Sequence, residues 1–297
     1  MTAIALLLAP LTLSACGSSV IAPRGVLGVV GAESQYAALL SEIGGQYVLV
    51  SSILNNPTTD PHAYEVSASV ARAVSNADLV VQNGLGYDGF MNRLEDASPS
   101  TRRVVISVQT LLAKSNSTFN PHLWYDLSGV GRVATAITSK LSQLAPKNTA
   151  YFARRNVEFQ SSLRNLETNV SQFRRTHSGY SVVATEPVAN YLLQAMGIAV
   201  LTPKQFMANV MNGVDPAPQD IATVESLLSN HEVQLFVFNQ QVSDSVTQGL
   251  FTEANNFYVP IVPVDEIMPP RYRTYVEWMT ATVNQLEAAL ANAQVIS

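Results

Sequence analysis

Residues 147–177 read KNTAYFARRNVEFQSSLRNLETNVSQFRRTH, and neither glycine nor proline interrupts them. Phe152, Phe159, Leu163, Leu166, Val170 and Phe173 follow one another at steps of seven, four, three, four and three. That spacing keeps all six on one face of a helix. A helix of about 30 residues runs about 45 Å, the width of a small domain. The stretch therefore predicts a rigid strut over residues 146–177. It divides the chain into an N-terminal lobe, 17–145, and a C-terminal lobe, 178–297.

Both flanks of the strut alternate short apolar runs with amphipathic segments. Ahead of it, residues 26–30, 47–53, 79–81 and 104–106 read as strands. Residues 35–43, stopped by Gly44 and Gly45, a segment near 68–75 and another after Tyr87 read as helices. Beyond it, 181–184, 198–201, 235–238 and 259–264 read as strands, with helices over 188–196, 219–229, 244–254 and 272–291. Short apolar strands separated by helices imply parallel sheets covered on both faces. The expected fold is α/β: two lobes, each a mostly parallel β-sheet flanked by helices, joined by one long rigid α-helix. Ligands of such sheets sit beyond the carboxyl ends of the strands, which places the site in the cleft between the lobes. Gly84-Leu85-Gly86 lacks the third glycine and the spacing of a dinucleotide fingerprint, and reads as a turn.

One local pattern occurs twice. Asp60-Pro61-His62-Ala63-Tyr64 is echoed by Asn120-Pro121-His122-Leu123-Trp124, in a chain with only four histidines. Proline fixes its own φ and pushes the residue before it out of helical space. Each histidine is thus presented from a stiff turn, as a ligand whose ring must be aimed would be. Neutral imidazole is the commonest side-chain metal ligand, so His62 and His122 are candidate ligands. His177 ends the strut, where a cation or polar ring suits the helix dipole, and His231 sits in a polar turn; both read as ordinary residues. In the second lobe, Glu186 follows the strand 181–184, and Asp265 and Glu266 follow the strand 259–264. Adjacent side chains at a strand's end point to opposite faces, so one of Asp265 and Glu266 faces the cleft. The longer Glu266 is preferred, with Asp265 as the alternative.

Residues 3–13 form an apolar run, with no Lys or Arg ahead of it. It is shorter than the roughly 20 residues that span a bilayer and fits the apolar core of a signal peptide. It leads into Leu13-Ser14-Ala15-Cys16, a pattern resembling a lipobox, so residues 1–16 are expected to be a lipoprotein signal with Cys16 as the lipidated residue. Cys16 is the only cysteine, which removes disulfides and thiolate zinc sites. A net charge of −5 without basic clusters argues against nucleic acid. No glycine-rich phosphate loop ending in Lys-Ser/Thr is present, so the chain is not its own ATPase.

With these residues in hand, the chain resembles the zinc/manganese substrate-binding lipoproteins of bacterial ABC transporters. The likeness rests on the lipobox at Cys16, residues 60–65, Ala77-Asp78-Leu79-Val80-Val81-Gln82-Asn83-Gly84, residues 120–124, and the acids after the two second-lobe strands. It implies two α/β lobes on a backbone helix with one divalent metal, Zn²⁺ or Mn²⁺, held between them as transported cargo. Carried over by position, the ligands are His62, His122, Glu186 and one of Asp265 and Glu266. It also implies a permease with its cytoplasmic ATPase as partner, a lipid anchor on the outer face of the membrane, a monomer, and no enzymatic activity. Leu127 stands where the family often has proline, residues 113–119 contain no histidine, and Glu186 occupies a position where many zinc members carry histidine. Two rival readings are a two-histidine, one-carboxylate iron enzyme and a metal-independent adhesin lipoprotein.

Overall fold

The computed structural model describes residues 25–56, 64, 66–177, 179–242 and 244–296. The first lobe runs β1 (Leu27–Glu33), α1 (Ser34–Gly44), β2 (Val48–Leu54), α2 (Ala68–Ser75), β3 (Leu79–Gln82), α3 (Gly89–Ala97), β4 (Val104–Ser107), α4 (Val108–Leu111) and α5 (Leu127–Leu144). Then comes α6 (Thr149–Thr176). The second lobe runs β5 (Ser181–Ala184), α7 (Asn190–Met196), β6 (Ala199–Val200), α8 (Lys204–Met211), α9 (Pro218–Ser229), β7 (Leu235–Asn239), α10 (Ser245–Asn256), β8 (Ile261–Val264) and α11 (Tyr275–Ile296).

The two sheets share one topology. Their strand orders are β2-β1-β3-β4 and β6-β5-β7-β8, and every pairing is parallel. The central strands read as unbroken apolar runs because helices cover both faces: Leu79, Val80, Val81, Val182, Val183, Phe236 and Val237 are all buried. Each such side chain contributes about 1.5–3 kcal/mol by leaving water. Gly31 in β1 permits the close approach of α1, since a Cβ there would lie 2.3 Å from the Ala37 nitrogen. Pro263 is tolerated in β8 because that strand lies at the edge of its sheet.

All six apolar residues of the strut are buried. Over its 28 residues, about 42 Å, α6 packs on α1 and α5 of the first lobe and on α7 and α11 beyond it. α11 is a second brace, touching α1, α6, β7 and β8. The sequence reading assigns no element to α5. That helix carries Gly129 and Gly131 among β-branched residues, which weakens its intrinsic signal, yet Asp126 caps it through the Gly129 N–H. A Cβ on Gly131 would meet Gln160 and Leu163 of α6 at 3.2 Å, so the glycine serves the packing of the two helices. α8 is a second unassigned element. The strand expected at 198–201 shortens to Ala199–Val200.

Glu42, near the end of α1, accepts the Tyr275 N–H at 2.9 Å. Burial pushes its carboxyl up to about 7, with the Tyr275 N–H and the Arg155 charge pulling partly back. The folded protein thus holds a proton that the unfolded chain, at the ordinary value of 4.5, releases. The stability Glu42 contributes is complete below pH 4.5 and is lost as pH rises through 7. Glu42→Gln removes that loss. It is expected to raise the melting temperature at about pH 8 by several degrees, corresponding to at most about 3 kcal/mol. At about pH 4.5 it should change little. Melts across this range check the claim, and an advantage that does not grow with pH contradicts it.

Candidate metal centre

His122 is fully buried and immediately precedes the short 3-10 turn Leu123–Tyr125. Its Nδ1 lies 2.8 Å from Asn120 Oδ1, which also accepts the His122 backbone N–H at 2.9 Å. Asn120 is oriented in turn by its Nδ2, which donates to the Pro187 carbonyl at 2.8 Å. Because Oδ1 only accepts, Nδ1 carries the hydrogen, which leaves Nε2 as the ring nitrogen able to ligate. Nε2 has no hydrogen-bond partner among the described residues. It faces Glu266 Oε2 at 3.4 Å.

Glu266 and Glu186 stand at neighbouring places on the second sheet. Glu186 follows β5 and Glu266 follows β8, and β7 lies between those strands. Both acids are buried, at 2% and 0% exposure. Asn239, which ends β7, joins them: its Nδ2 donates to Glu186 Oε1 at 2.9 Å and to Glu266 Oε1 at 2.6 Å. Tyr87 donates its hydroxyl to Glu266 Oε2 at 2.8 Å. Burial, and then the charge of Glu266, push the Tyr87 hydroxyl well above its ordinary range, so it stays a donor.

Asp265 points elsewhere. Its carboxylate accepts from Gln240 and lies 3.4 Å from Arg271. The alternation expected at a strand's end thus separates the two acids, with Glu266 beside His122 and Asp265 beside Arg271. The Glu266 main chain is clasped as well. Its N–H donates to Gln241 Oε1, which also accepts the Ile267 N–H at 2.9 Å. Its carbonyl accepts Gln35 Nε2 at 3.3 Å, and Ser34 Oγ donates to the Met268 carbonyl at 3.1 Å. The loop bearing Glu266 is therefore fastened to the start of α1, in the other lobe.

His62 lies outside the described residues, as do Cys16, Asp60 and Glu65. Among the described residues no three His, Cys, Asp or Glu side chains form a ready-made metal cage. His177 stacks on Phe173 at 4.6 Å, at the far end of α6, and His231 occupies a left-handed turn with φ of 54°. Neither is a neighbour of His122. The Gly84-Leu85-Gly86 segment is a turn, with all three residues at positive φ. It delivers the Gly84 N–H to Asp88 Oδ1 at 2.8 Å.

Sequence reasoning passed over Asn239, Tyr87, Gln35 and Gln241. It also passed over Glu33, a fully buried acid at the end of β1. Burial, and then the charge of Asp88, push the Glu33 carboxyl well above the usual range, which favours the neutral acid. A polar residue closing an apolar strand was the available signal for both Glu33 and Asn239.

Two parallel-sheet lobes on a long helix thus bring a buried imidazole of one within 3.4 Å of a buried carboxylate of the other, and Asn239 ties that carboxylate to a second. The chain belongs to the family described as zinc-uptake complex component A, periplasmic, whose model matches residues 29–289. Relatives include the manganese-binding lipoprotein MntA of Bacillus subtilis, 26% identical over 171 residues, covering 55% of this chain and 56% of that one. The zinc-binding protein TroA of Treponema pallidum is 30% identical over 122 residues, covering 39% of this chain and 40% of that one. The aligned stretches thus span about half the length of these curated relatives. The solved structure of TroA superposes with a TM-score of 0.73 at 19% identity, covering 90% of this chain and 99% of that one, which shows the shared fold. Among the described residues no helix is long and apolar enough to cross a membrane.

Proposed function

We propose that this chain is an extracytoplasmic solute-binding protein. It captures one divalent transition-metal ion, Zn²⁺ or Mn²⁺, between its lobes and delivers it to an ABC permease served by a cytoplasmic ATPase. Its role is to bind and release the ion unchanged rather than to catalyse. Cys16 carries the lipid anchor that holds the monomeric receptor at the outer face of the membrane. The observation that carries the reading is His122 Nε2, buried and facing Glu266 Oε2 across 3.4 Å. Tyr87 donates to the same oxygen from its own side, and a cation suits an imidazole nitrogen and a carboxylate so placed. His122, Glu186 and Glu266 are assigned as ligands, with His62 as the fourth from the first lobe; the partners of Asp265, Gln240 and Arg271, support choosing Glu266 over it. Residues 17–145 and 178–297 are the lobes, and 146–177 the strut between them.

Four protein ligands close the coordination sphere, as in sites that bind rather than catalyse, which disfavours an iron enzyme. Family membership and the histidine–acid cluster disfavour a metal-independent adhesin. Two imidazoles with two carboxylates make a harder site than three imidazoles, yet the Irving–Williams order still gives zinc the tighter grip. Both ions are therefore expected to bind, zinc more tightly in simple competition.

Metal that binds only the folded form stabilises it by about 2.7 kcal/mol at a hundredfold excess over Kd. Stripping the protein with a chelator is expected to lower its melting temperature, and one equivalent of Zn²⁺ or Mn²⁺ to restore it. His177→Ala and His231→Ala should respond as wild type does. A melting curve indifferent to chelator and metal would overturn the reading.

A further inference from the structure

Asn120 belongs to the first lobe, yet two of its hydrogen bonds cross to the second. Its Nδ2 donates to the Pro187 carbonyl at 2.8 Å, next to Glu186, and its own carbonyl accepts the Tyr191 hydroxyl at 3.0 Å. Its Oδ1 stays within the first lobe and accepts both N–H groups of His122, the backbone one at 2.9 Å and Nδ1 at 2.8 Å. The buried amide sits only this way round, because a backbone N–H cannot accept and a proline carbonyl cannot donate. Two cations close the same seam from opposite sides. Lys114 of the first lobe lies 5.1 Å from the ring centre of Tyr191, and Lys204 of the second lies 4.8 Å from that of Phe119.

We propose that Asn120 is a positioning residue that couples ligation by His122 to closure of the lobes, so that parting the lobes at this seam loosens the ion. This rests on the metal-site reading above, and of its ligands it needs His122 alone. One planar amide holds the imidazole at one end and, at the other, the turn that bears Glu186. While the lobes touch, the amide plane is fixed at both ends and the ring is aimed. Once they part, even by a modest tilt, the Pro187 bond breaks and the amide is held at one end only. The ring it steers is then held less firmly. Groups that orient a ligating histidine are worth about 10–100-fold in affinity. The coupling runs both ways: an ion that fixes His122 favours the closed seam by the factor that the closed seam favours the ion.

The test measures Zn²⁺ release into excess chelator by stopped flow for wild type, Asn120→Asp and Tyr191→Phe, with ¹⁵N NMR of the His122 ring in the metal-stripped proteins. Asn120→Asp keeps an acceptor for both His122 N–H groups, but at about pH 8 it sets a carboxylate oxygen against the Pro187 carbonyl. Were Asn120 only to orient the imidazole, Asn120→Asp would hold zinc as long as wild type or longer. The coupling predicts the reverse. The Nδ1–H signature of His122 should persist in both variants, while release quickens about tenfold in Asn120→Asp and about threefold in Tyr191→Phe. Release from Asn120→Asp as slow as from wild type, or quickened release with the Nδ1–H signature lost, overturns the inference and leaves the metal site standing. Wild type that takes up no zinc overturns the site and this inference together. If Asn120→Asp does not fold, Tyr191→Phe decides: it keeps the ring under Lys114 and loses only the hydroxyl, and unchanged release there overturns the inference.

Discussion

Glu266→Gln is expected to cost at least a hundredfold in metal affinity, and Asp265→Asn less than threefold. These are adjacent acids of similar chemistry, so composition offers no ground for the contrast. Glu266 is fully buried, with Tyr87 and Asn239 donating to its carboxylate and His122 Nε2 facing it at 3.4 Å. The neutral amide fills the same volume, its oxygen can accept from Asn239 and its NH₂ can donate to the Tyr87 hydroxyl, so the fold should survive while the charge and one ligand are lost. A hundredfold loss corresponds to about 2.7 kcal/mol. Asp265 serves Gln240 and Arg271 instead, and that exchange touches no ligand. Titration calorimetry on stripped protein reads both numbers. Equal losses, or a larger one at Asp265, would mean that the wrong acid has been placed on the ion.

Trp124→Ala should produce the largest stability loss of any single change near the site, about 3–5 kcal/mol. The indole is fully buried. It meets Tyr87 at 4.9 Å, His122 at 5.4 Å and Tyr36 at 6.3 Å between ring centres, each edge-to-face. Removing it empties the space behind His122 and frees the imidazole to turn away from Glu266. The melting temperature is expected to fall by roughly 10 °C. Metal should recover less of that loss than in Trp124→Phe, which retains a ring. A Trp124→Ala protein that melts within a degree or two of wild type would contradict this packing.

The fold was legible in sequence wherever one periodicity dominated. The six apolar residues of α6 could be read because nothing breaks a 3.6-residue rhythm there, and each of them is buried. The short central strands could be read because helices on both faces demand continuous apolar runs. α5 could not: Gly129 and Gly131 look like loop residues until Gly131 is seen against Gln160 and Leu163 of the neighbouring helix. Its helicity is a consequence of packing, not of propensity.

The site was legible in the same uneven way. His122 and Glu186 stand just past strands or stiff turns, where side chains are aimed into a cleft. The choice between Asp265 and Glu266 turns on strand register, and β8 pairs with β7 so that Val264 meets Asn239. An apolar strand carries no alternation from which to read that register. Tyr87 lies 179 positions from the carboxylate it serves, and Gln35 lies 231 from the carbonyl it holds. Tyrosines and amides are common, and nothing local marks these as supports. Their roles come into being only when the start of α1 meets the loop after β8.

The most direct measurement is anomalous diffraction at the zinc edge from crystals of chelator-stripped protein reloaded with one equivalent of Zn²⁺. The account predicts a single peak in the cleft, about 2.0–2.2 Å from His122 Nε2 and from one oxygen each of Glu186 and Glu266, with His62 completing the set. A peak beside Asp265, a peak at His177 or His231, or no peak at all in zinc-loaded crystals would contradict it.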